Sequence, residues 1–146
     1  MSVYIDTSVL AAYYCPEPLS LVAEHTLRRH NSPIISELTQ VEFASAVSRK
    51  VREKTLPYES AARLLAQFEA HVEDGYYEVL SLKPRDYRLA KSWLGQLKGT
   101  LRTLDALHLA VAVAAAGSIV TADRRLAAEA RRLGVPMKLL TVGRTR

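Results

Sequence analysis

Cysteine is nearly missing from this chain. Cys15 stands alone among 146 residues, so no internal disulfide can form, and such usage fits a reducing cytoplasm. Cysteine and histidine spacing of the kind that holds zinc is also absent, because His25, His30, His71 and His108 are scattered. There is no low-complexity tract and no internal repeat. The first residues carry no basic stretch, and Asp6 breaks their apolar run, so no signal peptide is expected. The longest stretch free of Asp, Glu, Lys and Arg runs from Ala106 to Ala122, 17 residues. A membrane helix needs roughly 20 apolar residues. This run also holds His108 and a Gly117-Ser118 break, so it reads as a buried helix followed by a strand, with no membrane partner.

What remains is enough for one domain with a full core. Apolar residues make up 49% and charged residues 24%, close to an ordinary globular chain. The net charge of +5 is unevenly spread. Residues 1–81 carry 7 basic and 11 acidic side chains, while residues 82–146 carry 13 basic and 4 acidic. A basic half beside an acidic pocket suggests a polyanionic partner approaching a metal site. Solvated helix faces explain such a charge run equally well on their own.

Short apolar stretches alternate with helical ones. Val3–Ile5, Pro33–Ile35, Tyr77–Leu82, Ile119–Thr121 and Met137–Thr141 read as strands. Helices are predicted over Thr7–Tyr14, Leu19–Arg29, Ser36 to just before Pro57, Tyr58–Asp74, Pro84–Lys98, Leu104–Ala116 and from Asp123 to Leu133, with a basic tail Arg144-Thr145-Arg146. In the long third helix, Leu38, Val41, Ala44, Ser45, Ser48 and Val51 track one stripe. Thr103 reads as the cap of the apolar sixth helix. The pattern implies an α/β fold, a mostly parallel sheet of about five strands with helices on both faces, in a single domain over 1–146.

Four carboxylates stand at element ends or in apolar surroundings. Asp6 and Asp123 each follow a strand directly, which puts them at the carboxyl edge of the sheet, where ligands bind in open parallel sheets. Asp105 begins the helix that feeds the strand before Asp123. Each of the three has a structural explanation as a helix cap or a first-turn charge. Glu42 does not, being about 9 Å into its helix and too deep to cap it. Its plain alternative is a carboxylate paired with Arg49 or Lys50. Together the four can converge on one edge. Packed carboxylates repel and resist ionising, and a hard divalent cation such as Mg²⁺ or Mn²⁺ removes that cost. His108 lies one turn from Asp105 and could support it, although a lone histidine in an apolar helix is more often core.

Three stretches carry a resemblance along essentially the whole chain. They are Ile5-Asp6-Thr7-Ser8-Val9-Leu10, then Glu37-Leu38-Thr39-Gln40-Val41-Glu42-Phe43, then Leu101 to Ala110 together with Val120-Thr121-Ala122-Asp123. In combination they resemble the PIN-domain nucleases and, within them, the VapC toxins of type II toxin–antitoxin pairs. The resemblance implies an acidic site of Asp6, Glu42, Asp105 and Asp123, which bind the metal and carry catalysis, with Thr7, Ser8 and Thr121 as supporting polar groups. It implies Mg²⁺-dependent endoribonuclease cleavage of RNA leaving 3′-hydroxyl and 5′-phosphate ends, a cognate antitoxin as partner, and a homodimer. Arg102, next to the acidic helix start, is a candidate phosphate contact.

Two other classes stay open on sequence alone. A receiver-like or phosphoryl-transfer domain would use Asp6 as the phosphorylated residue, but it needs paired acids near one strand end and a nearby lysine. A non-catalytic module binding RNA or a protein partner would use Tyr13, Tyr14 or Trp93 to line a groove.

Overall fold

In the computed structural model, residues 2–143 are described. Among them, five short strands form one sheet: β1 (Tyr4–Ile5), β2 (Ile34–Ser36), β3 (Glu78–Leu80), β4 (Ile119–Thr121) and β5 (Met137–Leu139). Seven helices connect and cover them: α1 (Thr7–Tyr14), α2 (Ser20–Arg28), α3 (Glu37–Arg52), α4 (Tyr58–Glu73), α5 (Pro84–Gly95), α6 (Thr103–Ala115) and α7 (Arg124–Arg132). The strand order is β3-β2-β1-β4-β5, and every neighbouring pair is parallel. The chain therefore builds outward from β1 in one direction, returns, and builds outward in the other. The crevice beside β1 is the point of reversal, where ligands bind in such sheets. This order differs from the 2-1-3-4-5 arrangement of receiver domains.

β1 has only two residues, yet it is the centre of the molecule. Alternation sends its two side chains to opposite faces. Tyr4 is in register with Ile34 and Ile119, and all three pack with Leu109 and Ala112 of α6 and Leu126 and Ala130 of α7. Ile5 joins Ile35 and Val120 against Val9 and Leu10 of α1, Phe43 and Val47 of α3 and Phe68 of α4. Tyr4 and Ile5 are both fully buried. Burying an aliphatic or aromatic side chain completely contributes roughly 1.5–3 kcal/mol, so two facing cores fix this short strand. The Asp6 amide still donates to the Val120 carbonyl at 3.0 Å, and the ladder runs up to the acid itself.

Several element boundaries differ from the sequence expectation. The core face of α3 is Thr39, Phe43 and Val47; Val41, Ala44, Ser45 and Ser48 point outward. Alanine and serine mark neither face, and the bulky Phe43 decides the helix rotation. The N-cap of α6 is Arg102, with Thr103 as its first helical residue. Helix α5 stops at Gly95 and not at Lys98, and Leu97, inside the expected span, is 91% exposed with a positive φ of 58°. β3 and β5 are shorter than the apolar runs that contain them, and Val3 lies before β1. The basic tail at 144–146 lies outside the described residues. No helix among those described is long and apolar enough to cross a membrane.

Candidate active site

Asp6 ends β1 and caps α1. Its Oδ2 accepts hydrogen bonds from Ser8 Oγ at 2.5 Å, Thr121 Oγ1 at 2.9 Å and the Ser8 amide at 3.4 Å. Ser8 Oγ in turn accepts from the Ala122 amide at 2.8 Å, and Thr121 Oγ1 accepts from the Asp123 amide at 3.0 Å. The two hydroxyls thus join the end of β1 to the end of β4. Asp123 caps α7, with Oδ1 accepting from the amides of Arg125 at 2.9 Å and Leu126 at 3.2 Å. Ser8 and Thr121, named as supporting groups, both bond the Asp6 carboxylate. Thr7 does not join the network: its buried Oγ1 has no partner among the described residues.

Asp105 is in the first turn of α6, where Oδ2 accepts from the Arg102 amide at 3.3 Å. The same oxygen accepts from Arg125 Nη2 at 3.1 Å. Burial pushes the Asp105 carboxyl above the ordinary aspartate value, opposed by Arg125 and the Arg102 amide and reinforced by the charges of Asp123 and Asp6. Asp123 and Asp6 therefore both lie within electrostatic reach of Asp105. Arg102 itself is exposed beside them.

Glu42 is held differently. It pairs with His108 Nε2 rather than with Arg49 or Lys50. A carboxylate only accepts, so Nε2 donates to it, and on the other side of the ring Nδ1 is hydrogen-bonded to the Tyr4 hydroxyl at 2.7 Å. Tyr4 Oη also contacts Ser36 Oγ at 2.8 Å and Thr39 Oγ1 at 3.1 Å. Those two hydroxyls form the capping box of α3. Burial drives the Tyr4 hydroxyl well above the ordinary tyrosine value, with Asp6 and Glu42 both adding to the rise. Tyr4 is thus a neutral hydroxyl within the fields of Asp6 and Glu42. His108 is both core, 1% exposed, and the support of Glu42.

Sequence reasoning missed three contributors. Tyr4 left one signal, since a buried tyrosine needs a partner for its hydroxyl. Arg125 left none, because nothing in the spacing connects it to Asp105 across 20 residues. Glu129, which no motif singled out, is 6% exposed and holds the loop before α6 through Thr100. Tyr14 is buried and Trp93 packs partly buried against the core, whereas Tyr13 lines an open cavity with His71, Tyr76 and Tyr77.

The donor chemistry fits a hard divalent ion. Among the described residues, Asp6 Oδ1, Asp105 Oδ1 and Asp123 Oδ2 receive no hydrogen bond. The side chains are not drawn together around one point, however. Among the described residues, no three His, Cys, Asp or Glu side chains are spaced to hold an ion as they stand.

Comparison with known proteins gives a consistent picture. The family model described as PIN domain matches residues 3–132. Ribonuclease VapC3 of Pyrobaculum aerophilum is 29% identical over 131 residues, 87% of this chain and 93% of that protein. The fold is similar to that of the Mycobacterium tuberculosis toxin VapC20, described as cleaving the sarcin–ricin loop, with a TM-score of 0.67, 15% identity, and coverage of 88% of this chain and 95% of that one. It is also similar to VapBC2 of Rickettsia felis, solved on a DNA fragment from its promoter, with a TM-score of 0.69, 17% identity, and coverage of 97% and 100%.

Proposed function

This chain belongs to the PIN-domain family, and on that premise we propose that it is a metal-dependent endoribonuclease, a toxin neutralised by a cognate antitoxin. The observation that carries the reading is the edge itself. Asp6 and Asp123 follow the neighbouring strands β1 and β4, and Asp105 feels the charge of both, each of the three keeping one carboxylate oxygen free of donors among the described residues. The ribonuclease name of the 29%-identical relative supports the chemistry, and the toxin and toxin–antitoxin neighbours support the setting. A homodimer acting on RNA in the cytoplasm accompanies this reading.

Asp6, Asp105 and Asp123 would hold Mg²⁺, or Mn²⁺ in its place, with Glu42 as a fourth oxygen donor. Such an ion supplies Lewis-acid stabilisation of phosphate charge and a more acidic bound water. The chain does the rest. Ser8 and Thr121 fix the Asp6 carboxylate and the turn that carries Asp123. His108 orients Glu42, and Arg102 would meet a phosphate at the rim.

The test is cleavage of RNA by the purified protein with Mg²⁺, with EDTA, and after Asp6→Asn. Cleavage is expected with Mg²⁺ only, and the substitution should lower it by at least ~100-fold. Chelator-resistant cleavage, or full activity of Asp6→Asn, would overturn the reading.

A further inference from the structure

Arg125 sits where none of the assigned residues explains it. A guanidinium carries five N–H donors in one plane. Arg125 uses Nη2 on Asp105 Oδ2 and Nη1 on the Thr100 carbonyl, both at 3.1 Å. Its remaining N–H groups have no acceptor among the described residues, and its side chain is 33% exposed.

The frame behind it is rigid. The Thr100 amide and hydroxyl both donate to Glu129 Oε1, at 2.9 and 3.3 Å. Glu129 Oε2 accepts from Arg132 Nε at 2.9 Å and Nη2 at 2.6 Å. Gly99 presses against the same pair. Its φ is +73°, and a Cβ there would lie 2.5 Å from Arg132 Nε and 2.6–2.7 Å from the Glu129 oxygens. The loop before α6 is therefore fastened to α7, and that fastening sets the carbonyl that holds Arg125.

We propose that Arg125 is a fixed phosphate anchor, holding the RNA backbone against the acidic edge through the N–H groups that Asp105 and Thr100 leave free. The proposal rests on the nuclease reading and adds the residue that offsets the site's own repulsion. Three neighbouring aspartates repel a phosphate. A guanidinium tied to one of them supplies countercharge at the point of approach, in the planar geometry that suits phosphate oxygens. Arg102 lacks such tethers on its side chain and would lose more rotamer freedom on binding. Glu129 acts through Thr100 and is a positioning residue.

The experiment uses the full chain carrying Asp6→Asn, in EDTA, so that RNA is bound and not cut. Binding of a labelled mixed-sequence single-stranded RNA is measured by fluorescence anisotropy across a salt series. Adding Arg125→Gln should lower the slope of log affinity against log salt by about 0.7, the value for one phosphate contact on a single strand. Affinity at fixed salt should fall by about 5–10-fold. Arg125→Lys should restore the slope with only part of the affinity, because a lysine cannot keep both tethers and the planar contact. Arg63→Gln on α4, an equal charge change at an exposed position, should leave the slope alone. An unchanged slope in Arg125→Gln, even with a lower melting temperature, would overturn the proposal by making Arg125 a purely structural ion pair. An equal drop in Arg63→Gln would overturn it by making the effect one of net charge. If the unsubstituted protein cleaves RNA with Mg²⁺ while the slope stays put, the anchor alone falls. If it neither cleaves RNA nor binds it after Asp6→Asn, the nuclease reading falls as well.

Discussion

Asp6 and Glu42 belong to one proposed site, but they are held by different physics. Asp6 takes its donors from its own turn and from the adjacent strand, and several act at once: two hydroxyls and an amide on a single oxygen. Glu42 depends on one imidazole 66 residues away, which depends in turn on a tyrosine hydroxyl on the central strand. The first support is local and redundant. The second is long-range and serial, passing through fully buried groups. Redundant support tolerates the loss of a member, whereas a serial support fails at any link.

His108→Leu is the sharpest way to break this contrast. Leucine fills similar space but leaves Glu42 without its donor and the Tyr4 hydroxyl without its nitrogen partner. Stability should fall by about 2–4 kcal/mol, the range for disrupting a buried polar network. It is read from the urea midpoint at constant m-value. RNA cleavage should fall about 10–100-fold beyond any loss of folded protein, since Glu42 loses its orientation. A variant with wild-type stability would mean that Glu42 has a second support and that the asymmetry is false.

The same contrast explains what was legible in the sequence. Strand ends and helix caps are local, so Asp6 and Asp123 could be read from short patterns, while Ser8 and Thr121 were named only through the family resemblance. The parallel α/β architecture followed from alternating apolar runs, which are local too. Asp105 was placed on the right helix, with its cap one residue late, because Thr103 looks like a better cap than Arg102. The rotation of α3 went wrong because small residues on the outward face mimic an apolar stripe, so Val41 was set inward and Phe43 overlooked. His108 on Glu42, and Arg125 on Asp105, depend on how α3, α6 and α7 pack around β1, which no periodicity encodes.

Ser8→Ala probes the redundant side. Asp6 Oδ2 keeps the Thr121 hydroxyl and the Ser8 amide, while the Ala122 amide loses its acceptor. The two hydrogen bonds lost, one to Asp6 and one from the Ala122 amide, are together worth about 1–2 kcal/mol. The stability read from the urea midpoint should fall by that amount, less than the His108→Leu effect, and cleavage should fall less than about 10-fold. A loss as large as that of His108→Leu would show that Ser8 is indispensable to Asp6, and the distinction between redundant and serial support would disappear.

The smallest effect concerns two acids on the α6–α7 wall that titrate in opposite directions. Hydrogen bonds from Arg132, and then from the Thr100 amide, hold the Glu129 carboxyl below the usual glutamate value. Its contribution is therefore present above the unfolded pKa and lost as pH falls through the lower folded one. Burial raises the Asp105 carboxyl instead, with Asp123 and Asp6 adding to the rise. The ionised form then costs stability at neutral pH, and the cost lifts as pH falls from above the folded pKa toward the ordinary aspartate range. In EDTA at neutral pH, Glu129→Gln should lower the melting temperature by about 4 °C, and Asp105→Asn should raise it by about 2 °C. Both differences should shrink on acidification, the Asp105→Asn difference at the higher pH. Two variants shifting in the same direction at neutral pH would mean that Arg125 outweighs burial at Asp105, and that this aspartate is held as firmly by its neighbours as Asp6 is by its hydroxyls.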